Sequence, residues 1–340
     1  MDKTLAIPVK TSPRRWLKPL AGGALILAGL ALMVFGWPDL SNRPVKYEKL
    51  AEIDRGMPGF PELGGRFPAD RLAHYRIGRN EGVGVELIVA EYRDGQGRTA
   101  SAIVYPPAKP DEPQGEAELR HELWKGAADA ILAHTSEDAL FVSWWDDAQR
   151  IRFQSGRAPW VDRPAAGAFP SEDQRKFWRQ AGGGFNPDET RLRQLAHWLS
   201  MDADAALLEM AGILPKNQPV FWLVCVDDLA RLSEIEALSG VKLPFEARYF
   251  AQSKDIHSQI AEVRQWAGEK NPGSYLVQQL PSGGVRAWRM TSEEGAKTLL
   301  ARLLPFTTSL AKPLDDFSLV YQSGWGGYLS IYQWRSDGIR

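Results

Sequence analysis

Residues 139–147 read ALFVSWWDD, and residues 220–228 read VFWLVCVDD. In each stretch an apolar run, interrupted in the first by Ser143 alone, ends in a pair of acids, Asp146-Asp147 and Asp227-Asp228. A short run that is apolar at every position fits a strand buried on both faces, as inside a parallel sheet. The flanking segments supply the helices that such a sheet needs. Leu119, Leu123, Ala127, Ala128 and Ile131 recur at helical spacing and predict a helix over 116–134. Further helices are expected over 188–199, 204–213, 228–238 (stopped by Gly240), 256–267 and 292–304. Antiparallel hairpins are expected from 85–92 with 99–105 around Asp94-Gly95-Gln96-Gly97, and from 275–280 with 285–290 around Ser282-Gly283-Gly284. A third, 317–321 with 328–332, closes the chain. Strands alternating with helices indicate an α/β fold, read as one mixed-sheet domain over 85–334 with antiparallel hairpins at its ends.

Ahead of this domain, Pro19 to Trp37 is a run of 19 residues without a charge. As a helix it would reach ~28 Å, close to the thickness of a bilayer's hydrocarbon core. Trp16 and Trp37 bracket it at the positions aromatic rings take at membrane interfaces. Five cations lie in the first forty residues (Lys3, Lys10, Arg14, Arg15, Lys18), all before the run, while Asp39 follows it. The positive-inside rule then places residues 1–15 in the cytoplasm, an anchor over 16–38, and the rest on the periplasmic side of a bacterial inner membrane. A cleaved signal peptide would have a shorter apolar core ending in a small-residue site, whereas this one ends Val34-Phe35-Gly36-Trp37. Residues 39–84, rich in Pro and Gly, are expected to be an irregular approach segment with a short helix over 44–53.

Composition narrows the function. The 300 residues after position 40 carry 36 Lys and Arg against 40 Asp and Glu, a mildly acidic body without the basic stripe of a nucleic-acid binder. The single cysteine is expected to rule out intrachain disulfides, Cys-ligated zinc and iron–sulfur clusters, and the lack of a C-x-x-C-H to rule out c-type haem. The histidines (His74, His121, His134, His197, His257) lack zinc-binding spacing. Cys225, mid-run among apolar neighbours, reads as an inert buried thiol. No residue is assigned as catalytic or as a metal ligand, and no cofactor is expected.

The candidate binding residues are Trp144, Trp145, Asp146, Asp147, Asp227 and Asp228. If the two apolar strands are parallel, both acid pairs fall at the carboxyl edge of the sheet, where ligands of open α/β sheets bind. Three roles suit them: capping of the following helices, a polar binding site, or oxygen ligands for Mg²⁺ or Ca²⁺. Strand alternation would send Trp144 and Trp145 to opposite faces, one of them outward beside the carboxylates as a platform for a sugar, a peptide or a partner's aromatic ring. Arg150, Arg152 and Arg157 follow, placed to pair with an anion or with the nearby acids.

Trp144-Trp145-Asp146 resembles the first three positions of the W-W-D-Y-G motif in the outer domain of oligosaccharyltransferase catalytic subunits, with Asp147 and Ala148 in place of Tyr and Gly. In that family the motif recognises the acceptor hydroxyl, so the resemblance implies a peptide- or glycan-binding module built on Trp144, Trp145 and Asp146. The layout of short tail, anchor, WWDDAQRI and α/β outer domain is similar to the hydroxylamine oxidation protein family called HaoB. That resemblance implies a periplasmic accessory of ammonia and hydroxylamine oxidation. Its partner would be the multihaem hydroxylamine oxidoreductase or an associated cytochrome.

Overall fold

The computed structural model describes residues 46–80, 83–108, 115–253 and 255–335. The chain opens with a four-stranded antiparallel sheet, β1 (Lys46–Asp54), β2 (Ala69–Asn80), β3 (Val83–Arg93) and β4 (Thr99–Val104), paired in chain order. The β3–β4 hairpin is the one expected around Asp94. Its turn is held by the Asp94 carboxylate, which accepts from the Gln96 and Arg98 amides at 2.9 and 3.0 Å. The two strands before it correct the reading of 39–84 as an irregular segment with a helix over 44–53. Residues 46–54 form an extended edge strand instead, mostly exposed and with a register shift between Lys49 and Ala51. An edge strand of this kind buries few side chains, so its apolar residues carry little periodic signal.

After α1 (Glu116–His134), the run 139–147 splits. Leu140–Val142 is β5, and Trp145–Ser155 is α2, a helix that a capping role for Asp146-Asp147 presupposes but that periodicity does not delimit. The chain continues through the two-residue strand β6 (Ala158–Pro159), α3 (Glu172–Ala181), α4 (Thr190–Ser200) and α5 (Ala203–Ile213) to β7 (Val220–Cys225). A 3₁₀ turn over Val226–Ala230 leads into α6 (Leu232–Ser239). Then come β8 (Phe245–Phe250), α7 (Ile256–Gly268), β9 (Tyr275–Gln279) and β10 (Val285–Met290). The expected helix over 292–304 is two short ones, α8 (Glu293–Lys297) and α9 (Leu299–Leu303), parted at Thr298, whose backbone is extended and whose hydroxyl caps the second by accepting from the Ala301 amide. The chain ends in α10 (Thr307–Ala311), β11 (Phe317–Gln322), α11 (Gly324–Gly327) and β12 (Leu329–Trp334).

The single mixed sheet expected is thus three sheets. The central one is five-stranded, ordered β11-β12-β7-β5-β6, with β5 parallel to β6 and β7 and β12 antiparallel to β7. The third, β8-β10-β9, is antiparallel and includes β8, a strand not expected from the sequence. Side chains of all three sheets meet in one core: Tyr75 and Ile103 from the first, Phe141 and Trp222 from the central sheet, Leu276 and Trp288 from the third. Every residue of β7 is buried, as its unbroken apolar run requires. Among the described residues no helix is long and apolar enough to cross a membrane. The anchor expected over 16–38 lies outside them.

Candidate functional site

Leu140, Phe141 and Val142 stand level with Val220, Phe221 and Trp222 in parallel register. Both acid pairs therefore leave the same edge of the central sheet and meet in three dimensions. The first pair lies in the opening turn of α2, where acids favour the positive end of the helix dipole. The second lies in the 3₁₀ turn after β7, and there Asp228 caps: its carboxylate accepts from the Cys225 amide at 2.9 Å.

The structure separates each pair into two roles. Asp146 and Asp227 are ion-paired. Arg231 reaches Asp146 at 2.8 Å and Arg150 reaches it at 3.3 Å, and these cations hold its carboxyl below the ordinary range against the opposing effect of burial. Asp227 accepts from Arg120 at 2.9 Å and from the Tyr328 phenol. Burial pushes its pKa up, but these partners outweigh that and hold it at about 2. Asp147 and Asp228 are different. Arg150 bonds Asp147 Oδ1 but is shared with Asp146, and Asp147 Oδ2 is buried with no hydrogen-bond partner among the described residues. No cation pairs with Asp228 among the described residues, although it is only 4% exposed. Burial, reinforced by the neighbouring carboxylates, pushes Asp147 up to about 7 and Asp228 well above the usual carboxylate range.

Trp144 and Trp145 correct the strand reading. Trp144 is the residue before the helix and Trp145 its first, so the pair sits on a strand-to-helix corner without the alternation of a strand. Both rings are buried, at 1% and 0% exposure, and neither forms an outward platform. Their indole N–H groups converge on one acceptor, Glu234 Oε2, at 3.3 and 2.9 Å. Arg231, 3.3 Å from the other Glu234 oxygen, ties this acceptor back to Asp146.

Several members of the cluster escaped sequence reading. Arg120 lies on the buried face of α1 and bonds Tyr328 at 3.0 Å as well as Asp227. Tyr105, just after β4, stacks under the Arg150 guanidinium at 4.8 Å and accepts from it at 3.3 Å. Arg286 on β10 and Arg120 share Glu116. Only Arg231 and Glu234 left a trace, as charged residues within one and two turns of Asp227-Asp228. Of the arginines singled out earlier, Arg150 enters the cluster, Arg152 pairs with Asp162, and Arg157 holds the Thr135 carbonyl at 2.9 Å. Buried His121 bonds the Tyr105 carbonyl at 2.8 Å.

No curated protein matches the chain. Among solved structures it is similar to the C-terminal globular domain of an oligosaccharyltransferase from Archaeoglobus fulgidus, at 12% identity with a TM-score of 0.32, covering 62% of this chain and 96% of that one. It is also similar to the C-terminal domain of PglB from C. jejuni, again at 12% identity, with a TM-score of 0.38 and coverage of 62% and 99%. The description that matches along nearly the whole sequence is a different one: the chain belongs to the family of the HaoA-associated protein HaoB, whose family model matches residues 14–334.

Proposed function

We propose that this chain is a membrane-anchored accessory of hydroxylamine oxidation that associates with HaoA, the hydroxylamine oxidoreductase, on the periplasmic side of the inner membrane. The observation that carries the reading is the family match, which runs from residue 14 through the uncharged run and to residue 334. Trp16, Trp37 and the preceding cations support an anchor over 16–38 with the tail of residues 1–15 in the cytoplasm. The haem chemistry of such a partnership belongs to the partner, since a chain without C-x-x-C-H has no attachment motif for c-type haem. The buried ion-pair network holds the outer domain's elements in one arrangement that a partner can recognise. Affinity capture of the full chain from solubilised membranes should recover hydroxylamine oxidoreductase, and deleting the chain should lower that enzyme's activity. Capture without the oxidoreductase, together with unchanged activity in the deletion strain, would overturn the proposal.

A further inference from the structure

At the carboxyl edge of the central sheet, three potential donors from three consecutive or paired elements close on one point. Asp147 comes from α2, and Cys225 and Asp228 come from the end of β7 and the turn after it. One ligand atom from each lies within 4.8 Å of the other two. All three residues are nearly inaccessible, at 2%, 1% and 4% exposure. A buried carboxylate is stable only if something positive or a hydrogen bond answers it. Here Asp147 Oδ2 has no partner among the described residues, and Asp228 has no cation. Asp146 and Asp227 have guanidinium partners of their own. Arg150, shared between Asp146 and Asp147, is the cation at these donors, and neither Asp147 Oδ2 nor Asp228 has one of its own among the described residues.

We propose that Asp147, Cys225 and Asp228 form a binding site for one divalent transition ion of zinc type. One thiolate with two carboxylates is a donor set of intermediate softness, suited to zinc better than to Mg²⁺ or Ca²⁺, which take oxygen alone. A lone cysteine rules out the multi-cysteine zinc sites, and the wider exclusion of Cys-ligated zinc expected from composition gives way here to a mixed set of one thiolate and two carboxylates. Bonds of about 2.0–2.3 Å place tetrahedral donors about 3.5 Å apart, so small side-chain rotations close the observed spacing. On binding, the Cys225 thiol and the protonated carboxyls of Asp228 and Asp147 release their protons to solvent, and each donor gives a lone pair to the ion, with no change of oxidation state. The shared Arg150 orients Asp147, and the Cys225 amide orients Asp228, as neighbours of metal ligands do. The site joins β7 to α2, and so ties the two acid-bearing segments together independently of any partner protein.

The test is metal analysis of the untagged full chain purified in detergent after growth in zinc-supplemented or cobalt-supplemented medium. About one equivalent of metal per chain is expected. The cobalt form should show the near-ultraviolet thiolate-to-cobalt charge-transfer band, and Cys225→Ser should abolish that band. Asp147→Asn should lower the retained metal to well under half an equivalent. Wild-type protein with less than a tenth of an equivalent under both conditions would overturn the site and leave two protonated carboxyls as the answer to the buried charge. Stoichiometric cobalt without the sulfur band would overturn it too, by placing the ion elsewhere. If either variant fails to fold, the wild-type spectrum decides alone.

Discussion

Glu234 accepts from two tryptophans and faces one arginine, so three donors depend on a single carboxylate. Burial raises its pKa against the pull of Arg231. Replacing it with alanine strands two indole N–H groups and leaves Arg231 with Asp146 as its remaining carboxylate partner. Glu234→Ala should lower the unfolding free energy by about 3–5 kcal/mol in urea titration; a loss below 1 kcal/mol would mean the tryptophans are held by packing alone. Asp227 gives a pH-dependent counterpart. Its folded pKa of about 2 lies below the ordinary 3.8, so it adds stability that is present above about pH 4 and lost as the pH falls towards 2. Tyr328→Phe removes the phenol that donates to it and should cost about 1.5–3 kcal/mol at pH 6. That deficit should narrow as the pH approaches 2, and an equal deficit at both would show that Asp227 is not the group concerned. Sequence reading located both acid pairs but had no means of dividing their roles. The division comes from Arg120 and Tyr328, 107 and 101 residues away from Asp227 along the chain.

At the level of elements, α2 shows why a helix can hide. Amphipathic helices announce themselves through a polar face. Here Asp146, Asp147, Gln149 and Arg150 are buried along with Trp145, Ala148 and Ile151, so the polar residues mark no solvent side. Its end is nonetheless determined locally. Gly156 takes a left-handed backbone (φ +74°) and closes the helix by donating to the Arg152 carbonyl at 2.9 Å. A side chain there would sit 2.6 Å from Arg66 Cδ, whereas Gly240, with φ +73° at the end of α6, has nothing within 4 Å. Gly240→Ala should therefore cost only the backbone term, about 1–2 kcal/mol. Gly156→Ala should cost more, because Arg66 must move as well. Thermal melts of the two variants give the comparison, and equal losses would mean that Arg66 yields freely. Gly240 was readable as a stop because an amphipathic helix led up to it, and Gly156 was not because no periodic face delimits α2.

For the whole molecule, the first sheet bears on where the folded unit begins. Ala73 and Tyr75 of β2 enter the main core, and Tyr47 of β1 stacks on Phe177 of α3 at 4.6 Å. A chain cut to begin at residue 85 would lose these contacts and expose the pairing edge of β3, which invites intermolecular strand pairing. It should elute as aggregate in size-exclusion chromatography, while a chain beginning just before β1 should not; a monomeric, folded product from residue 85 would show the first two strands to be dispensable. Local pattern was sufficient for the mixed α/β class, the two buried strands, the three hairpins and the uncharged run near the N-terminus, because each is a property of neighbouring residues. Tertiary structure alone decided that the strands form three sheets, that 46–80 is part of the fold, and that Trp144 and Trp145 turn inward. It alone brought Asp147, Cys225 and Asp228 together, since parallel pairing across a crossover of more than seventy residues leaves no periodic mark in the chain that makes it.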